Sequence, residues 1–141
     1  MPVNEELVEA RIREINDAVQ MLMNLTAKGF GELTFHERLS IRYLIIQLVE
    51  AASSICMHIL LSVFNERAEG FPECFARLGI KGVIPEDLAS GLASAARLRN
   101  LLVHRYWVID DEKVYKSVKE GLRDFNVYIL HVKGFLERSG A

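Results

Sequence analysis

The longest stretch without a helix-breaking residue runs from Thr34 to Gly70 and constrains the fold most. Thr34 and Glu37 have the spacing of a capping box, in which each side chain satisfies the other residue's backbone N–H. No glycine or proline follows until Gly70. At 1.5 Å per residue the stretch predicts a helix long enough to be the backbone of a helical bundle. Its apolar residues recur at three- and four-residue steps: Ile41, Leu44, Ile45, Leu48, Val49, Ala52, Ile55, Cys56, Ile59, Leu60 and Val63.

The most apolar part of this helix, residues 44–64, raises the question of a membrane span. Glu50 lies within it, and a charged residue near the centre of a span costs on the order of 3 kcal/mol. The polar residues also form one helical stripe, which is typical of an amphipathic bundle helix. We therefore predict no membrane contact. The stripe consists of Gln47, Glu50, Ser54, His58 and Ser62.

Helical signals also cover the rest of the chain. Asn4 is a good N-cap for a first helix from about Glu5 to Ala27. A short helix begins at Phe71-Pro72-Glu73 and ends at Gly79, and a third loop leads into a helix from Pro85 to about Val103. Small residues cover one side of that helix, so either a core neighbour or a second subunit can approach it closely.

Asp110 or Asp111 caps the last predicted helix, which runs as one piece toward Gly140. No alternating apolar pattern of a β-strand, no internal repeat and no low-complexity segment interrupts the helices. The sequence therefore predicts an all-α helical bundle of about five helices, in a single domain over residues 1–141.

Composition narrows the environment and the partners. The net charge is −2, so no strong overall field draws the protein to nucleic acid and any RNA contact has to be local. Cys56 and Cys74 have neither a metal-ligand spacing nor a disulfide pattern, so we expect two separate buried thiols in a reducing cytosol. The polar, acidic start of the chain lacks the features of a signal peptide. A cytoplasmic protein without metal or cofactor is predicted.

The richest cluster of chemically useful side chains lies at the end of the predicted fourth helix, in residues 97–107. On an ideal helix, Asn100 and His104 share a face, and so do Arg97 and His104. Arg99 precedes His104 by five positions, so these two side chains converge only if the helix ends or distorts first. The spacing leaves open which arginine is the partner of the histidine.

A histidine beside an arginine can supply the catalytic groups that RNA cleavage needs. Histidine can take a proton from a ribose 2′-hydroxyl near neutral pH, and arginine can stabilise the charge that grows on the attacked phosphate. The competing interpretation is structural, because basic residues are favoured at a helix C-terminus by the helix dipole alone. By spacing alone the structural interpretation is the stronger one. Tyr106 and Trp107 would then be packing residues.

The segment from Arg99 to Tyr106 (RNLLVHRY) resembles the arginine–polar–gap–histidine motif of the HEPN superfamily, and a tyrosine two residues after the histidine matches its HepT branch. Residues 82–88 and 106–115 are also similar to that branch. The resemblance implies a homodimeric bundle in which the motif of each subunit lines a cleft. It further implies a metal-independent endoribonuclease toxin acting on tRNA or mRNA. The partner would be a cognate MNT-type minimal nucleotidyltransferase, the antitoxin of a type VII-like pair.

Carried over residue by residue, the resemblance makes Arg99 the phosphate-binding arginine, Asn100 its polar partner and His104 the catalytic histidine. Tyr106 becomes the residue to which the antitoxin transfers AMP from ATP. Arg97 stays in reserve as the partner of His104, and Arg97 and Arg105 are candidate auxiliary phosphate-binding residues. The alternative is a non-catalytic helical protein that docks the nucleotidyltransferase and cleaves nothing.

Overall fold

The central element of the fold is a 30-residue helix, α2, which spans Phe35–Phe64. A computed structural model describes residues 2–140 and contains six α-helices in that range. The predicted capping box opens α2: the Glu37 N–H donates to Thr34 Oγ1 at 3.1 Å, and the Thr34 N–H donates to Glu37 Oε1 at 3.0 Å. The other helices are α1 (Glu5–Thr26), α3 (Phe71–Ile80), α4 (Glu86–His104), α5 (Asp111–Gly121) and α6 (Arg123–Arg138).

The helix α2 ends at Phe64, six residues before the glycine that was expected to stop it. Asn65 adopts a left-handed conformation with φ 54°, which asparagine tolerates better than most residues. The Glu66 N–H then donates to Leu60 O at 3.0 Å, so a carbonyl of the last turn finds a partner. The predicted continuation to Gly70 is therefore wrong, and residues 65–70 connect α2 to α3 without forming a helix.

The predicted last helix is two helices, α5 and α6, separated at Leu122. Asp110 caps α5 as expected, since its Oδ1 accepts from the Glu112 and Lys113 N–H groups at 3.0 and 3.3 Å. Gly121 weakens a helix interior by roughly 0.5–1 kcal/mol, and the Phe125 N–H bonds to Leu122 O across only three residues. This break raises the count from about five helices to six. The predicted all-α bundle is confirmed.

The core is formed where α1 packs along α2 and where α3 packs against α4. The largest side chain in it is Tyr128 of α6, which is fully buried with its hydroxyl donating to Ala52 O at 2.8 Å. Burial also raises the pKa of the Tyr128 hydroxyl, so this group stays a hydrogen-bond donor. The Phe75 ring packs edge-on against the Tyr128 ring at 5.7 Å and joins α3 to α6.

By length and composition, α2 is apolar enough to cross a membrane, but 61% of its most apolar window is buried inside the bundle. That share is typical of the core helix of a globular protein, as the polar stripe predicted. The expectation about the cysteines is partly wrong. Cys56 and Cys74 are fully buried, yet they form a disulfide between α2 and α3, with their Cα atoms 6.2 Å apart. Spacing could not reveal this pair, because helix packing brings the two residues together.

Candidate functional site

The motif predicted from the sequence lies where α4 ends. Arg105 leaves the helical conformation, with φ −138° and ψ 44°, and its N–H makes the last helical bond, to Leu101 O at 2.8 Å. A single 3₁₀ turn, Tyr106–Val108, follows. His104 is therefore the last residue of α4, where the helix dipole favours a basic side chain. The chain changes direction between His104 and Tyr106, so the two side chains need not follow helical spacing.

Arg99 is the most firmly held side chain of the motif. Its Nη2 donates to Glu50 Oε2 at 2.7 Å, its Nη1 donates to Asn100 Oδ1 at 3.0 Å, and its guanidinium lies 4.8 Å from the centre of the Phe71 ring. The side chain is only 17% exposed, and its Nε is buried without a hydrogen-bond partner in the described part of the chain. Three neighbours from three helices thus fix the planar group, while the buried Nε–H remains unused.

Arg97 and Arg105 differ from Arg99 in their exposure and, within the described residues, in their lack of hydrogen bonds to other helices. Both are exposed, and Arg97 makes a hydrogen bond only within its own helix, from Nη2 to Ser94 Oγ at 3.1 Å. Neither is oriented by another helix through a hydrogen bond that the described residues record. Their long side chains can follow a phosphate in solution, but they are not fixed in advance. The structure therefore distinguishes one arginine that other helices orient from two exposed ones, a difference that the spacing did not show.

His104, the predicted catalytic histidine, is exposed at the end of α4. Among residues 2–140 it forms no hydrogen bond, to Arg99 or to any other side chain. The pairing of the motif that the structure does show is between Arg99 and Asn100. Arg99 turns toward α2 and α3, while His104 faces solvent, so one chain does not bring the two groups into direct contact.

Tyr106 and Trp107 are 63% and 67% exposed, and their rings contact each other edge-on at 5.5 Å. Neither ring packs into the core of the chain, so the structural interpretation that spacing alone favoured does not explain them. The 3₁₀ turn carries them on the surface beyond the helix end, so the Tyr106 hydroxyl is open to a reagent in solution. That accessibility is what a modification acceptor requires.

A feature that sequence reasoning missed holds this turn in place. Arg42 of α2 forms a two-pronged ion pair with Asp111, with Nε–Oδ1 at 2.7 Å and Nη2–Oδ2 at 2.9 Å. Its third nitrogen, Nη1, is 3.5 Å from the carbonyl oxygen of Tyr106. Both side chains are about one-fifth exposed. Local sequence patterns could not predict this pair, because its two residues are 69 positions apart in the sequence.

Replacing Asp111 by asparagine should lower the free energy of unfolding by about 1–2 kcal/mol, because a half-buried guanidinium loses its charged partner. The turn should also become more mobile. Trp107 is the only tryptophan in the chain, so the anisotropy of its fluorescence reports on the turn directly. The matched control is Glu112→Gln, which removes an exposed carboxylate from the same helical turn. Equal effects of the two substitutions would contradict the role of the Arg42–Asp111 ion pair in holding the turn.

The polar stripe of α2 has divided roles. Ser54 Oγ accepts from Arg11 Nε at 3.1 Å, and His58 Nε2 accepts from the Asn4 N–H at 2.8 Å, so these two side chains bond α1 to α2. Glu50 instead contacts Arg99, the oriented arginine of the motif. The described residues contain no group of three or more histidine, cysteine or acidic side chains arranged to hold a metal ion.

Comparison with known proteins shows which family this chain resembles. A family model described as Ribonuclease HepT-like matches residues 11–132. Over 133 residues the chain is 28% identical to the tRNA nuclease HepT of Aphanizomenon flos-aquae (strain 2012/KM1/D3), covering 92% of this chain and 90% of that protein.

Two solved structures share the fold. One is a tri-AMPylated HEPN toxin of Shewanella oneidensis in complex with an MNT antitoxin, with a TM-score of 0.84 and 22% identity over 91% of this chain and 97% of that one. The other is YutE of Bacillus subtilis, a cytosolic protein of unknown function, with a TM-score of 0.84 and 14% identity over 97% and 93% of the two chains.

An all-α bundle with an Arg-Asn…His-x-Tyr run at the exposed end of a helix, within the span that the family model matches, marks this chain as a ribonuclease-type domain. More narrowly, the chain belongs to the HepT-like ribonuclease family, because the family model covers most of its length. The resemblance seen in the sequence and the ribonuclease class it implied are confirmed.

Proposed function

We propose that this protein is a cytoplasmic, metal-independent endoribonuclease toxin acting on tRNA or mRNA. A cognate MNT-type nucleotidyltransferase would silence it by transferring AMP to Tyr106. The observation that carries the proposal is the contrast within one motif: Arg99 is fixed from three sides, while His104 and Tyr106 lie exposed just beyond it. An electrostatic group is most effective when it is oriented before the reaction, whereas a proton carrier and a modification acceptor must be reachable.

The proposed reaction uses only groups of the protein and of the RNA. His104 takes the proton of a ribose 2′-hydroxyl, and the oxygen attacks the adjacent phosphorus. The bond from phosphorus to the 5′-oxygen of the next nucleotide breaks, and that oxygen receives the proton that His104 took up. The products are a 2′,3′-cyclic phosphate and a free 5′-hydroxyl. Arg99 stabilises the negative charge that develops on the phosphate, and Asn100 holds the guanidinium in its plane through Nη1.

The working form is proposed to be a homodimer. Apolar side chains are exposed around the end of α4, and they favour a second subunit at this place. In a symmetric dimer the same patch faces its copy, so two motifs would line one cleft and the arginine of each could act near a histidine. Arg97 and Arg105, doubled in the dimer, would supply local positive charge to a protein of net charge −2. The exposed apolar residues that would pack across the dimer are Leu101, Val103, Trp107 and Val108.

Cleavage of purified tRNA in the presence of EDTA tests the proposal and also decides between the two arginines. The wild-type protein should produce fragments ending in a cyclic phosphate. Arg99→Ala should lower the cleavage rate by about 10–100-fold, because the phosphate loses a fixed charged donor. Arg97→Ala, two residues earlier on the same helix, should change it by about twofold at most. If the wild-type protein cleaves no RNA under any condition, the protein is instead the non-catalytic partner of a nucleotidyltransferase.

A further inference from the structure

A polar cleft lies between α1 and α2, next to the oriented arginine. Its volume is about 370 Å³, within the ~300–1,000 Å³ range of ligand sites. Glu50 forms part of its wall and at the same time holds Arg99 Nη2 through Oε2. The cleft is therefore separated from the phosphate-binding guanidinium by a single side chain.

The lining of the cleft has one exposed aromatic ring. Tyr43 is 65% exposed, so its ring does not contribute to the core. Gln47 and Glu50 follow it at positions four and seven further along α2, which places all three on one face of the helix. From Tyr43 to Glu50 the helix rises by about 10 Å, so the face leads from the ring toward Arg99.

Charge excludes a phosphate from the cleft itself. The guanidinium of Arg11 is already engaged, with Nη1 2.6 Å from Glu14 Oε1 and Nε 3.1 Å from Ser54 Oγ. Glu14 is paired with Arg11 and Glu50 with Arg99, so the described lining has no unpaired positive charge to hold a phosphate. The second oxygen of Glu50, Oε1, has no hydrogen bond to any residue that the structure describes. The cleft therefore offers acceptors and a flat ring, which suit a neutral planar group that carries N–H donors.

We infer that the cleft between α1 and α2 binds one nucleobase of the RNA whose phosphate Arg99 holds. The inference rests on the proposed ribonuclease function. The base stacks on the Tyr43 ring, and an exocyclic amino group donates to Gln47 Oε1 or Glu50 Oε1. Adenine, cytosine and guanine carry such a group, whereas uracil lacks an exocyclic amino group and can donate only through its ring N3–H. The cleft thus selects amino-bearing bases next to the scissile phosphate.

Fluorescence anisotropy with labelled 12-nucleotide single strands of A and of U tests this, using the 141-residue chain with His104→Ala so that the probe survives. Stacking on an aromatic ring is worth about 1–3 kcal/mol per base, so Tyr43→Ala should weaken binding of the A strand by about 5- to 150-fold. Tyr43→Phe keeps the ring and should recover most of the affinity. Gln47→Ala should narrow the preference for A over U. Phe35→Ala is the matched control, since Phe35 is a similarly exposed ring on α2 outside the cleft.

The outcomes separate this inference from the function on which it rests. If Tyr43→Ala binds both strands as the parent does while Arg99→Ala does not, the base site is wrong and the ribonuclease proposal stands. If the wild-type protein neither binds nor cleaves RNA, both fail. If Tyr43→Ala loses affinity for the nucleotidyltransferase and none for RNA, the cleft is a protein-docking surface and the base site is overturned.

Discussion

Replacing His104 by alanine is expected to lower the rate of RNA cleavage by about 10²–10⁴-fold, the usual contribution of a general acid–base group. The side chain is exposed and forms no hydrogen bond within residues 2–140, so its removal should leave the stability within about 0.5 kcal/mol of the wild type. A large kinetic effect without a structural one is the signature of a residue that acts on the substrate. Initial rates on tRNA and thermal unfolding of the same preparations measure the two quantities.

The control for His104 is His36→Ala, which removes another exposed imidazole, in the first turn of α2, and should leave the rate unchanged. Free imidazole supplies the missing base in solution, so it should restore part of the activity of His104→Ala. A His104→Ala protein that still cleaves at the wild-type rate would refute the assignment. An inactive variant whose unfolding temperature has fallen by many degrees would point to a structural role for this histidine.

Tyr106→Phe is expected to abolish modification by the nucleotidyltransferase and ATP while RNA cleavage continues. The phenol oxygen would attack the α-phosphorus of ATP and release pyrophosphate, and phenylalanine has no such oxygen. In the wild-type protein the AMP group would add a phosphodiester charge and a nucleoside two residues from His104. That charge would repel the RNA phosphate from Arg99.

Intact-protein mass spectrometry detects the AMP group, and a cleavage assay on the same samples reports the silencing. Tyr43→Phe is the matched control, because its hydroxyl is on a ring of nearly equal exposure, 65% against 63%. The control should still be modified and silenced. Normal inactivation of Tyr106→Phe by the nucleotidyltransferase would show that the acceptor lies elsewhere.

Local signals in the sequence were sufficient for most of the fold. The capping box at Thr34, the N-cap at Asn4 and the cap at Asp110 all form the predicted bonds, because each connects residues two or three positions apart. The end of α2 was misplaced because Asn65 stops the helix through a left-handed conformation, which glycine signals more clearly. The break at Leu122 depends on how α5 and α6 pack, and no periodicity encodes that.

The candidate site was predictable in its residues and not in its contacts. The motif identified Arg99, Asn100, His104 and Tyr106, yet their roles remain predictions. The neighbours that fix Arg99 come from α2 and α3, at distances in sequence that spacing arguments do not reach. The ion pair between Arg42 and Asp111 and the disulfide also join residues that are far apart in the sequence. Pairs of this kind are created by tertiary packing, so they had to be found in the structure.

The helix α2 contacts both parts of the site, the turn that carries Tyr106 and the side chain of Arg99. Arg42 secures the turn that bears Tyr106, and Glu50 secures Arg99, and these two anchors stand eight residues apart on α2, a rise of about 12 Å. An intact helix hardly changes length, so we expect a nucleotide added at the turn to leave the Arg99 guanidinium in place. Modification would then silence the protein by blocking the space that RNA occupies. Enzymatic or chemical removal of the AMP group should restore full activity without refolding.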